Sequence, residues 1–89
     1  MATVDLDGML REFVPRRHLE TTAPTLGAML EELEGKYPRL RGKLRDETGT
    51  LRPFVKLFRN GTEVGRAGWE AEPLGTSDVV DVLHSIQGG

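Results

Sequence analysis

The sequence has 89 residues, of which 37% are hydrophobic and 29% are charged, and its formal net charge at pH 7 is -2. This length fits one small domain over residues 1–89 and leaves little room for the deep cavity of an enzyme. No apolar run is long enough to span a bilayer, the slight acidity disfavours nucleic-acid binding, and the absence of cysteine excludes disulfides and thiolate metal sites.

The first half of the sequence predicts two strands and a helix. Apolar and polar residues alternate from Thr3 to Leu6, which predicts a first strand, and residues 17–21 are predicted to pair with it as a second. After Thr25, a suitable N-cap, leucine and methionine recur at helical spacing, which predicts a helix over residues 26–36. Residues 39–44 have the spacing of a further short helical turn.

The second half of the sequence predicts the remaining strands. A strand over residues 51–59 leads through Asn60-Gly61, a dipeptide that favours a type I′ turn, into a short strand over residues 62–64. The last strand is predicted over residues 79–86. Strands, one helix and further strands form an α+β order in which the helix packs on one face of a mixed sheet. Trp69 is predicted to cover the rim of this small core.

The end of the sequence carries a recognisable pattern. Residues 74–80 read Leu-Gly-Thr-Ser-Asp-Val-Val, and the sequence finishes with Ile-Gln-Gly-Gly. With the predicted order of elements, this resembles the ubiquitin-like (MoaD/ThiS-like) sulfur carriers, whose members show Leu-x-x-Gly-Asp-x-Val before a final strand and then Gly-Gly. That family includes the molybdopterin-synthase small subunit and the sulfur carriers of thiamine and cysteine biosynthesis. Ser77 stands where the family usually has Gly, and His84 stands where Pro is common.

The resemblance implies a β-grasp fold with a flexible tail over residues 87–89, and a carrier protein that is not itself an enzyme. An E1-like adenylating and sulfur-transferring enzyme would use ATP to adenylate the carboxylate of Gly89, which follows Gly88. Conversion to a thiocarboxylate would let the carrier donate sulfur to a synthase in biosynthesis. The alternative is a protein modifier that is joined through Gly89 to lysines of its targets, because both functions need the same Gly-Gly end.

The chemistry of the tail also requires a separate enzyme. A carboxylate is a poor electrophile, so it must be activated, most simply as an acyl-adenylate, and the sequence contains no phosphate-binding loop that could hold ATP. We therefore expect no bound cofactor. His18 and His84 have no cysteine or clustered carboxylate beside them, so no metal site is predicted. His84 and Ser85 would point to opposite faces of a strand, which excludes a hydrolytic triad and predicts a solvent-facing histidine.

Alternation along the strands predicts a docking surface for partners. If Val55, Leu57, Val80 and Val82 lie in the core, their strand neighbours face the other way. This predicts an exposed apolar pair, Phe58 and Leu83, with a cationic rim of Lys56, Arg59 and Arg52. Ile86, just before the tail, and Gln87, at its start, are predicted to join the partner contacts. The alternative is that loops of the chain cover this face.

The basic residues are concentrated in the middle of the sequence. Residues 35–66 contain nine basic and three acidic residues, which suits either a mixed solvated surface or a patch that steers an acidic partner protein. The first residues lack a basic and apolar signal pattern, so a cytoplasmic protein is expected. The expected partners are the adenylating enzyme and the sulfur-accepting synthase, without nucleic acid or membrane, and the free protein is expected to be a monomer.

Overall fold

A computed structural model describes residues 1–16 and 18–84 of the chain. The elements within these residues are strands β1 (Ala2–Leu6), β2 (His18–Thr21), β3 (Val55–Arg59), β4 (Thr62–Glu63) and β5 (Val79–His84), helix α1 (Leu26–Lys36), and short 3₁₀ helices at Gly8–Phe13, Pro38–Leu40 and Trp69–Ala71. None of the helices in this part of the chain is long and apolar enough to cross a bilayer.

The strands form one mixed sheet in the order β2-β1-β5-β3-β4. β5 runs parallel to β1 and antiparallel to β3, and the two hairpins β1-β2 and β3-β4 are antiparallel. A mixed five-stranded sheet with one main helix is the β-grasp, or ubiquitin-like, fold, so the predicted α+β class and architecture are confirmed.

Helix α1 has the predicted bounds, Leu26–Lys36. The Thr25 hydroxyl accepts a hydrogen bond of 3.2 Å from the Ala28 amide, which satisfies one of the free N–H groups of the first turn. The helix ends before Pro38, which cannot continue it. Its apolar stripe is buried in the core and consists of Leu26, Met29, Leu30 and Leu33.

Several predicted bounds are too long. The strand predicted from Leu51 begins only at Val55, because Pro53 cannot donate to a ladder and the Val55 amide instead closes a turn onto the Arg52 carbonyl at 3.0 Å. The helical turn predicted over 39–44 is limited to Pro38–Leu40. The strands predicted over 17–21 and 79–86 are confirmed from His18 and as far as His84, and their remaining residues lie outside the described part.

The core lies between α1 and one face of the sheet. Val4, Val55, Leu57, Val80 and Val82 supply much of the sheet side, and each of them is at most 1% exposed. Trp69 is 4% exposed and belongs to the same apolar cluster, so its indole closes the core from the loop between β4 and β5, as predicted.

The start of α1 lies very close to the 3₁₀ helix that carries Trp69. A Cβ atom added at Gly27 would lie 2.8 Å from the Glu70 Cβ and 3.0 Å from the Glu70 carbonyl oxygen. Only glycine allows this approach, because the nearest atoms include backbone that cannot move without shifting Trp69. Gly35, in the same helix, has no neighbour within 4 Å of such a Cβ.

These two glycines give a matched test of packing. Gly35→Ala should stabilise the protein by about 0.5–1 kcal/mol, because alanine is the better helix former. Gly27→Ala should instead destabilise it by about 1–3 kcal/mol, since the added methyl group overpacks the contact with Glu70. Urea denaturation of both variants measures the difference, and equal stabilisation by both would contradict the close contact.

Candidate functional site

Strand β5 carries the candidate site, because the predicted tail follows it. β5 lies in the middle of the sheet, with Val80 and Val82 in the core, and is described as far as His84. The predicted site residues Ile86, Gln87, Gly88 and Gly89 lie outside the described residues. The structure therefore defines the strand and the surface from which this segment departs.

The start of β5 is fixed by Asp78, the aspartate of the Leu-x-x-Gly-Asp-x-Val pattern. One carboxylate oxygen accepts a hydrogen bond from the Gly75 amide at 2.7 Å, and the other accepts one from the Asn60 side chain at 2.9 Å. The Asn60 side-chain oxygen accepts from the Val79 amide at 2.9 Å, and the Asp78 carbonyl accepts from the Thr3 amide at 3.0 Å. Asp78 thus ties the entry of β5 to the β3-β4 turn.

Arg59 belongs to this junction. Its guanidinium donates to the Asp78 carboxylate at 3.3 Å and to the Pro73 carbonyl at 3.2 Å, and it lies 3.4 Å from a carboxylate oxygen of Glu72. Arg59 pairs with Val80 near the start of β5, whereas the tail follows the other end. Its predicted contact with a partner stays a prediction, but its charge is already compensated within the protein.

The predicted alternation of the sheet is confirmed. Lys56 and Leu83 are paired on the face opposite the helix, and Phe58 is paired with Asp81 of β5 on one side and Glu63 of β4 on the other. Leu83 and Phe58 are half-buried, however, so the prediction that they are exposed is wrong. Phe58 lies between two acidic residues and not within a cationic rim.

A shallow groove lies where β5 ends. Its volume is about 350 Å³, its surface is mainly apolar, and its walls are Asp7, Gly8, Phe54, Lys56, Leu83 and His84. Phe54 is 40% exposed, which makes it the most accessible aromatic side chain of this face. The same alternation that selected Lys56 and Phe58 applies to Phe54, two positions before Lys56. The predicted strand over residues 51–59 already included Phe54, but its outward face was considered only from Lys56 onward, so Phe54 was missed.

His84 was predicted to face solvent, and this prediction is wrong. It occupies the same side of β5 as the buried Val80 and Val82, and it is half-buried because the strand reaches the edge of the core there. Its Nδ1 is buried and has no hydrogen-bond partner among the described residues. Within residues 1–16 and 18–84, no group of three histidine or acidic side chains could hold a metal ion.

Electrostatics at the β5 junction give a pH-dependent prediction. Hydrogen bonds from Asn60 and the Gly75 amide, together with the charge of Arg59, lower the pKa of Asp78 below its usual value. The carboxylate therefore stabilises the fold above the unfolded-state pKa of about 3.9, and this contribution disappears as the pH falls through the lower folded-state pKa. Asp78→Asn should reduce the urea midpoint at pH 7, and the difference from wild type should shrink towards pH 2. A difference that is constant over this range would contradict the prediction.

Comparison with known proteins places the fold and the Gly-Gly end in one family. The sequence matches the model of the ThiS family over residues 4–89. Sulfur carrier protein CysO of Mycobacterium tuberculosis H37Rv is 29% identical over 90 residues, which cover 98% of this chain and 97% of that protein. Small archaeal modifier protein 3 of Haloferax volcanii is 35% identical over 65 residues, which cover 73% of this chain and 70% of the relative.

Solved structures agree with this assignment. The crystal structure of M. tuberculosis CysO superimposes with a TM-score of 0.84 at 27% identity, covering 97% of this chain and 100% of that one. The BexX/CysO complex of Amycolatopsis orientalis gives a TM-score of 0.86 at 20% identity over the whole of both chains, a likeness of fold. Because the family match includes nearly the entire sequence, this chain belongs to the ThiS family of ubiquitin-like, β-grasp sulfur carriers.

Proposed function

We propose that this protein carries sulfur as a thiocarboxylate on Gly89, made by an ATP-dependent activating enzyme and delivered to a biosynthetic synthase. The observation that carries the proposal is that the ThiS match extends through Gly88-Gly89 and is not limited to the folded part. Two glycines without side chains suit a carboxylate that must enter a narrow cleft of another protein.

The proposed reaction has two steps. A carboxylate oxygen of Gly89 attacks the α-phosphorus of ATP and displaces pyrophosphate, which gives an acyl-adenylate. A hydrosulfide ion then attacks the acyl carbon, displaces AMP and loses its proton to solvent, which leaves the thiocarboxylate. Its anionic sulfur is a good nucleophile at neutral pH, for the reason that thiolates are.

The first step belongs to a partner enzyme in this proposal. The groove at the end of β5 is shallow, mainly apolar and about 350 Å³ in volume, so it does not suit a triphosphate. ATP is therefore a substrate of the E1-like adenylating and sulfur-transferring enzyme, and the carrier holds no cofactor of its own.

We further propose that both partners dock on the groove and the adjoining sheet face. Phe54 and Leu83 supply apolar area there, and Lys56 supplies a charge at its edge, which is the composition expected of an interface centre and its rim. Phe58, Arg59, Ile86 and Gln87 complete the predicted contacts. A related carrier is known in a BexX/CysO complex, which supports partner binding by proteins of this fold.

A protein modifier is the second candidate function. Its specific support is the 35% identity to small archaeal modifier protein 3. The two functions share the adenylate on Gly89 and differ in the group that attacks it, a sulfur donor or a lysine amine. Only the product distinguishes them.

The tail can be tested by mass spectrometry of the intact protein. After incubation with the adenylating enzyme of the source organism, ATP and a sulfur donor, we expect replacement of one oxygen by sulfur, localised to Gly89. Removal of Gly88 and Gly89 should abolish this product and leave the thermal midpoint unchanged, because these residues follow the described core. Conjugates on lysines without any thiocarboxylate would favour the modifier, and an active truncated protein would refute the assignment of the tail.

The docking surface can be separated from the core by paired substitutions. Leu57→Ala should destabilise the fold by about 2–5 kcal/mol, and Val82→Ala should also destabilise it, since both side chains are fully buried. Phe54→Ala, Phe58→Ala and Leu83→Ala should cost clearly less stability, and each should weaken binding to the adenylating enzyme by about 1–2 kcal/mol. Urea denaturation and calorimetric titration measure the two effects. Unchanged affinity in all three surface variants would refute the docking surface.

A further inference from the structure

Positive charge collects around the end of β5, where the tail departs. Residues 7–13 and 52–56 adjoin this end, residues 38–44 contact both of these segments, and the three segments together contain six basic and two acidic residues. The rest of the sequence contains six basic and twelve acidic residues. A protein with a net charge of -2 therefore has one basic end, and that end bears the tail.

Contacts join these segments into a ring. A Cβ atom on Gly8 would lie 3.5 Å from the His84 carbonyl oxygen, and Val55 pairs with His84 across the sheet. At the far end of the same 3₁₀ helix, the Phe13 ring lies beneath the Arg39 guanidinium carbon at 5.2 Å and the Lys43 ammonium at 5.1 Å.

The ring closes through Arg52. Its Nε donates to the Gly42 carbonyl at 2.6 Å, its amide donates to the Leu44 carbonyl at 2.9 Å, and its own carbonyl accepts from Val55. Arg52 is itself exposed, but its side chain is hydrogen-bonded to Gly42, so we use the name basic collar for the other exposed cations on this ring, which are Arg11, Arg39, Arg41, Lys43 and Lys56.

Among the described residues, the collar cations lack the carboxylate partners that other basic side chains have. Elsewhere, Lys36 lies 3.2 Å from Glu32, Arg45 pairs with Glu34, and Arg59 pairs with Asp78. Within the described residues, no carboxylate lies within ion-pair distance of a collar side chain. Arg39 and Lys43 are instead attracted to one aromatic ring, which keeps two like charges near each other and sustains a local positive potential.

We propose that the basic collar attracts and contacts an acidic protein surface, the rim of the activating-enzyme cleft that receives the tail. This inference rests on the proposed function. The five residues after His84 can span at most about 17 Å, so a cleft that takes up Gly89 brings its rim close to the collar. The acidic remainder of the molecule would repel a long polyanion such as RNA, whereas a local acidic rim meets only the collar.

The experiment compares two pairs of substitutions with the same change in net charge. Lys43→Gln with Lys56→Gln neutralises two collar cations. Lys36→Gln with Arg16→Gln neutralises two exposed cations beside β2 at the edge of the sheet, outside the collar. Stopped-flow mixing with the adenylating enzyme of the source organism measures the association rate constant, and urea denaturation checks that both variants remain folded.

We expect the collar variant to associate about tenfold more slowly than wild type at low salt and the control variant to associate at a nearly unchanged rate. In 1 M salt, where the screening length is about 3 Å, all three proteins should associate alike. Equal association rates for both variants at low salt would refute the proposed role of the collar. A wild-type association rate that does not depend on salt would also refute it. An RNA hairpin that binds wild type tightly and the collar variant weakly would overturn it in favour of a nucleic-acid site.

The two proposals fail in different ways. Thiocarboxylate formation at the same rate in all variants would refute the role of the collar and would still support the carrier function. Salt-dependent association of wild type without any thiocarboxylate product would refute the carrier function and would still support the role of the collar. Absence of any association with the enzyme would refute both.

Discussion

Pairing of β5 with β1 on one side and β3 on the other is the constraint on which the rest of the site depends. Both ladders hold the strand, and Val80 and Val82 hold it against the core, so its end at His84 has a defined position. Asp78 sets the other end through the β3-β4 turn. Under the proposed function, the segment that carries Gly89 then starts from a fixed point, which limits the volume that its end must search for a partner's cleft.

The same constraint explains why the groove exists. β5 ends and β3 begins at the edge of the core, so Phe54 and His84 have neighbours on only part of their surfaces. A small domain gains stability from each apolar side chain that it covers, and an aromatic residue left 40% exposed forgoes part of that gain. Under the proposed function, the uncovered area is stabilising only in the complexes.

The sequence predicted correctly those structural features that depend on residues close together in the chain. The buried faces of β3 and β5 followed from alternation, and the bounds of α1 followed from Thr25, the leucine spacing and Pro38, because each depends on residues a few positions apart. The order of the elements and the sequence of the tail then indicated the fold and the family.

The exposure of individual side chains and the partners of charged residues could not be predicted from neighbours in the sequence. Arg59 looked like a free cation because its partners Glu72 and Asp78 lie 13 and 19 positions further along the chain. Phe58 looked exposed because its coverage depends on how β3 pairs with Glu63 and Asp81. The basic collar was visible only as an excess of basic residues over 35–66, and its position around the tail required the contacts of Phe13 and Arg52.

The groove and the collar differ in what they contribute to partner exchange. Apolar contact lengthens the lifetime of a complex, whereas complementary charge mainly raises the rate of encounter. Under the proposed function, a carrier that visits an activating enzyme and then a synthase needs rapid capture and also rapid release. A groove of about 350 Å³ would limit the apolar contact, and the five exposed cations of the proposed collar would raise the encounter rate with an acidic rim without adding to that contact. Short-lived complexes with fast association are therefore the kinetic regime that this surface suits.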